Sequence, residues 1–101
     1  MNIKITNHAI DRAWERLGIR EGPLTKKAQK AFDSGIRHGD VNGSLRRYID
    51  GEYLKYKNAN NIRIHNQYVY YFKNNLLLTI TEIPNKYKRY INKLKNKSCN
   101  N

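Results

Sequence analysis

Apolar side chains recur at positions 10, 13, 14 and 17 of the opening stretch ITNHAIDRAWERLGI, residues 5–19. The spacing i, i+3, i+4, i+7 predicts a helix whose buried face is built from Ile10, Ala13, Trp14 and Leu17. Thr6 or Asn7 is placed to cap its free N–H groups, and Gly18 to stop it. The preceding NIKIT reads as a short strand or an extended lead-in. EGP at 21–23 reads as a break. Thr25 then opens a second helix with Ala28, Ala31, Phe32 and Ile36 as its stripe, ended by Gly39. HGDVNG reads as a loop. Ser44 is placed to cap a third helix, in which Leu45, Tyr48, Ile49, Tyr53 and Tyr56 recur at helical spacing; Gly51 weakens it, costing about 1 kcal/mol relative to Ala.

After KNANN the period falls to two. IRIH at 62–65, YVYYF at 68–72 and LLLTITEI at 76–83 are rich in aromatic, aliphatic and β-branched residues. The intervening NQ and KNN have hairpin length and turn chemistry. Three strands in an antiparallel meander follow, closed by Pro84. NKYKRYINKLKNK then reads as a basic helix with Tyr87, Tyr90, Ile91 and Leu94 inward. The expected fold is one α+β domain over 1–101. Its N-terminal helices pack on one face of a three- to four-stranded antiparallel sheet, and a C-terminal helix follows. Alternation puts Ile62 and Ile64 on one face with Arg63 and His65 on the other. It likewise separates Leu76, Leu78 and Ile80 from Leu77, Thr79 and Thr81. If the apolar faces meet the helices, Arg63, His65, Thr79 and Thr81 emerge together on an open face.

Charge adds a partner to this picture. The net charge is +12, and residues 51–101 hold ten Lys/Arg against two Asp/Glu, compared with ten against six before them. That excess predicts attraction to a polyanion, RNA first. Eight tyrosines against two phenylalanines suit half-buried positions and base stacking. The expected nucleic-acid contacts are Arg63 and Tyr71 on the sheet and Lys86, Lys88 and Arg89 on the last helix. A lone cysteine, Cys99, excludes an internal disulfide and fits a reducing compartment. No stretch has signal-peptide character or approaches the ~20 apolar residues of a membrane span. The expected location is the cytoplasm of a host cell.

Chemistry enters on the first helix. His8, Arg12, Glu15 and Arg16 fall on one stripe. Imidazole can act as acid or base near neutrality, guanidinium offers a fork of donors to phosphate oxygens, and a threonine hydroxyl can orient an oxygen. Metal-free RNA cleavage needs such a set, with His65 as a second proton-transfer group. The alternatives are poorer. The chain has no paired-carboxylate motif, no Gly-rich phosphate loop, no cysteine nucleophile with a local partner and no HExxH spacing, so neither a metal nor a cofactor is expected.

Two segments carry a resemblance. ITNHAIDRAWERLGI resembles the H-A-x-x-R-x-x-x-R opening helix of a small phage- and mobile-element-borne domain family. VYYFKNNLLLTITEIPNKYKRY resembles that family's closing hairpin, with its Leu-x-Thr-(Val/Ile)-x-x-x-Pro ending. The family is grouped with the barnase–EndoU–colicin–RelE-like ribonuclease superfamily, near BrnT-type toxins. The match covers about the first 19 and the last 35 residues. It implies a compact α+β fold and RNA cleavage, with His8 and Arg12 as the family's helix residues, Arg16 beside them, and Thr79 or Thr81 as its strand threonine. Where the family often has an aromatic after that threonine, this chain reads Thr79-Ile80-Thr81-Glu82. The expectation is a toxin-like hydrolase acting on RNA, with an antitoxin, immunity or host defence protein as a further partner. The alternative is a non-enzymatic accessory protein that uses the same scaffold to bind a host protein or nucleic acid.

Overall fold

A computed structural model describes residues 2–99, with side chains to Asn92. The elements run β1 (Lys4–Ile5), α1 (Asn7–Leu17), α2 (Glu21–Ser34), β2 (Ile36–Arg37), the short 3-10 turn η1 (His38–Asp40), α3 (Gly43–Lys55), β3 (Asn61–His65), β4 (Tyr68–Lys73), β5 (Leu76–Glu82) and α4 (Asn85–Cys99). The fold is α+β, and the expected meander β3-β4-β5 forms its centre. Each edge carries one more strand, giving the order β1-β5-β4-β3-β2. β1 lies parallel to β5, so the sheet is mixed and not purely antiparallel. Two-residue strands carry too little periodicity to be read, which is why β2 escaped the pattern.

Helices cover both faces, not one. On one face α1 and α2 bring Ala9, Ala13, Leu24, Ala28 and Ala31 against Tyr70, Phe72, Leu77 and Ile80. On the other, α3 and α4 bring Leu45, Ile49 and Ile91 against Ile62, Ile64, Val69 and Tyr71. The strands announce this, because β4 reads YVYYF with four consecutive buried residues. A run without polar alternation belongs to a strand buried on both sides.

The small residues set the helix positions. α1 packs through Ala9 and Ala13, whose size lets the helix approach β5 closely. Its buried stripe is therefore centred one residue earlier than the apolar spacing implied, and Trp14 lies outside it at 56% exposure. EGP is the first turn of α2 and not a break; proline is tolerated there, where no intrahelical donor is lost. α2 ends at Gly35, not Gly39. A Cβ on Gly35 would stand 2.5 Å from the Ala31 carbonyl oxygen and 3.1 Å from the Ile64 one, so only glycine allows this approach to β3. α3 begins at Gly43, with Asn42 preceding it and no side-chain cap bond. On α4, Ile91 is buried and Tyr87 and Tyr90 pack half-buried beside it, while the Leu94 side chain lies outside the described residues.

Candidate functional site

Both edge strands are two residues long, and one consequence is a cleft. β1 pairs with β5 only at Lys4↔Leu76 and Ile5↔Leu77. At Thr6 the chain leaves the sheet and turns into α1. The Thr6 hydroxyl fixes this corner: it donates to the carbonyls of Leu77 (3.0 Å) and Leu78 (3.3 Å) and accepts from the Ala9 N–H (3.0 Å). The edge of β5 beyond Leu77 is left without a strand partner on that side. Here the register of β5 also shifts. Tyr71 faces Thr79 while Phe72 faces Leu77, so Leu78 is the extra residue of a bulge. A bulge redirects side chains. It sends Leu77 to the α1/α2 face with Phe72, and Thr79 to the α3/α4 face with Tyr71.

The resulting cavity has a volume of about 450 Å³. Thr6, His8, Leu78 and Thr79 form one side, and the segment 54–58, Leu-Lys-Tyr-Lys-Asn, forms the other. Thr79 is 2% exposed, and its Oγ1 is buried without a hydrogen-bond partner in the protein. His8 and Lys57 are exposed at the mouth. Lys55 is held 3.3 Å from Glu52. Tyr56 is half-buried in the lining, its ring 4.7 Å from that of Tyr71. His8 occupies the first turn of α1, where backbone N–H groups point outward and favour an anion.

Of the residues expected to act together, the cleft joins His8 and Thr79. Arg12 and Arg16 follow His8 along the same helix, about 6 and 12 Å further from the cleft at 1.5 Å per residue. Arg12 pairs with Glu15 at 3.7 Å. Thr81 points to the same face as Thr79, but its hydroxyl is engaged with the Tyr71 hydroxyl at 3.2 Å. His65 and Arg63 do not join the threonines. β4 separates them by two strand spacings, roughly 10 Å, and they face α2 rather than α3. There is also no open face, because α3 and α4 cover it. Arg63 donates to the Gly35 carbonyl (3.1 Å) and to Asn61 (3.0 Å), a structural tie between α2 and β3.

Tyr71 is fully buried, so its ring cannot stack on a base; burial raises its phenol, and the Thr81 bond only partly opposes this. Lys88 is taken up by Glu82 at 3.2 Å, which places that carboxylate outside the cleft. Lys86 and Arg89 are exposed over the rings of Tyr87 and Tyr90.

The pattern missed Lys55, Tyr56, Lys57 and Asn58. Tyr56 was read only as part of the third helix's apolar stripe, and KYKN matches no motif; its basic–aromatic interleaving was the available signal. It also missed His38. The His38 Nε2 lies 2.6 Å from Asp50 Oδ1, which also accepts from Arg46 at 3.0 Å. These bonds, His38 first, hold the Asp50 carboxyl below its usual value. Arg46 also donates to the Val41 carbonyl at 3.2 Å, so the cluster fastens η1 to α3.

No protein-family model, curated protein or solved structure matches the chain. The functional reading therefore rests on the cleft itself. Among the described residues, no three His, Cys, Asp or Glu side chains gather as metal ligands, and no helix is long and apolar enough to cross a membrane.

Proposed function

We propose that this protein binds RNA and cleaves its phosphodiester linkage at the His8 cleft without a metal ion, as a relative of the phage-borne ribonuclease-like domains that its terminal segments resemble. The observation that supports this most is the meeting of His8, Thr79, Lys55 and Lys57 around one cavity on a chain of net charge +12. In the proposed reaction His8 accepts the proton of a ribose 2′-hydroxyl. The 2′ oxygen then bonds to phosphorus as the bond from phosphorus to the 5′ oxygen breaks. The departing 5′ oxygen takes a proton from the Lys57 ammonium. The products are a 2′,3′-cyclic phosphate and a 5′-hydroxyl. Lys55 and the first turn of α1 stabilise charge on the non-bridging oxygens. Arg12 and Arg16 continue the cationic row toward neighbouring phosphates.

The test is incubation of transfer RNA with the protein in EDTA, comparing wild type, His8→Ala and Lys57→Ala. Removal of a general acid or base lowers the rate by about 10²–10⁴-fold. Equal cleavage by all three, or none by the wild type, refutes the catalytic reading. A non-catalytic protein-binding reading has one observation in its favour, the Trp14 indole, which lies exposed beside Ile10, Ile19 and Arg20. Wild type that leaves RNA intact while Trp14→Ala loses a purified host protein partner selects that reading.

A further inference from the structure

The interior of the cleft differs from its mouth. Of the residues lining it, His8 and Lys57 are exposed, whereas Leu78 and Tyr56 are half-buried and Thr79 is buried. A phosphate would meet no charged partner among these last three, since Leu78 offers carbon, Tyr56 a ring and Thr79 one neutral hydroxyl, and the nearby Thr6 hydroxyl is already bonded within the fold. A flat, neutral ring with a polar edge meets those walls far better. The Thr79 hydroxyl can donate or accept according to its rotation, so it can serve either sense of a base edge. Its residue is 98% removed from solvent, and Oγ1 has no bond within the protein. Buried polar atoms are ordinarily paired, and this one has a capacity for a hydrogen bond that the protein does not use. Asn58, whose amide carries both a donor and an acceptor, stands on the opposite wall.

We infer that the cleft takes an unpaired nucleobase of the RNA, with its edge read by Thr79 and its phosphates left at the mouth on His8 and Lys57. This deepens the RNA reading above and rests on it. It names the substrate as single-stranded RNA with a base turned out of its stack, because a paired base cannot enter. Unstacked bases held against aromatic side chains and bonded at their edges are the usual basis of sequence-specific RNA recognition. The half-buried Leu78 beside it would help to shield that bond from water.

The experiment is calorimetric or NMR titration of the whole protein with the four ribonucleoside 5′-monophosphates, with ribose 5-phosphate and with inorganic phosphate. Wild type is compared with Thr79→Val and Thr79→Ser, and a single-stranded RNA oligonucleotide is titrated alongside. At least one nucleotide should bind at least about tenfold tighter than ribose 5-phosphate. Thr79→Val should lose about tenfold in that affinity, the value of one buried hydrogen bond, and Thr79→Ser should recover most of it. Ribose 5-phosphate should be indifferent to all three. Nucleotides and ribose 5-phosphate binding alike, or Thr79→Val binding as wild type does, overturns the base pocket. If the oligonucleotide still binds in either case, the RNA reading survives. An oligonucleotide that does not bind overturns both.

Discussion

Replacing Thr79 by Val should make the protein more stable, an uncommon outcome for a fully buried position. A buried hydroxyl without a partner forfeits its hydration, at about 1–3 kcal/mol. The side chain is 2% exposed, so solvent screening scarcely reduces that cost. Valine keeps the branched shape at Cβ and the strand preference, and its extra methyl adds up to about 0.8 kcal/mol of apolar burial. The expected gain is about 1–3 kcal/mol, or a rise in Tm of roughly 5–15 °C for a chain of this length. Urea unfolding followed by circular dichroism reads it as a higher midpoint at unchanged slope. Thr81→Val, two residues along the same face, supplies the contrast. Its hydroxyl meets the buried Tyr71 hydroxyl at 3.2 Å, so that variant should lose about 1–3 kcal/mol. Destabilisation by both substitutions would show that Thr79 is satisfied inside the fold, and the reasoning that gives it a ligand-reading role would fail.

Other expectations concern the scaffold and its titrating groups. Gly35→Ala should cost at least about 2 kcal/mol, since the new methyl meets the Ala31 carbonyl at 2.5 Å; thermal unfolding unchanged from wild type would refute it. Burial, followed by Glu52, pushes the Tyr48 phenol up to about 12, and burial raises Tyr70 and Tyr71 as well. Folded pKa values above the unfolded value of 10 mean that stability is intact below pH 10 and falls as pH rises past it. Absorbance at 295 nm should therefore show a late ionising class that unfolding in urea abolishes. The depressed Asp50 carboxyl acts in the opposite direction. Its contribution is complete above the ordinary value near 3.8 and is lost as pH falls through the folded value. His38→Ala should move the Asp50 titration upward by NMR, and an unmoved titration would deny the hydrogen bond its role.

Periodicity revealed the long elements. α1, α3 and the β3-β4-β5 meander follow from spacing and turn residues, and the positive-φ Asn66 and Asn74 sit in the two hairpin turns the sequence placed there. What it concealed is instructive. NIKIT offered β1 as a short strand but not its parallel pairing with β5, and β2 is held by a partner distant in sequence, where two residues cannot show a period. The bulge at Leu78 reverses the strict alternation of LLLTITEI, so Leu77 and Thr79 part company although the pattern puts them together. The four consecutive buried residues of β4 marked a sheet covered on both sides, but the expectation of an open face set that sign aside. The cleft was half legible. His8 and Thr79 came from the chain's two ends, whereas the opposing wall came from the last residues of α3 and the turn after it, where the helical stripe marks packing and not a site. His65 failed as a partner because sheet order, unlike strand identity, is not written in local sequence.

RNA that enters the His8 cleft must touch both of its walls. Backbone amide shifts recorded while a short single-stranded 2′-O-methyl RNA, which lacks the attacking hydroxyl, is added to the ¹⁵N-labelled wild-type protein address this directly. The expected changes centre on Thr6, residues 54–58, Leu78 and Thr79, and extend along α1 past Arg12. Changes confined to α4, with the cleft residues unmoved, would contradict it.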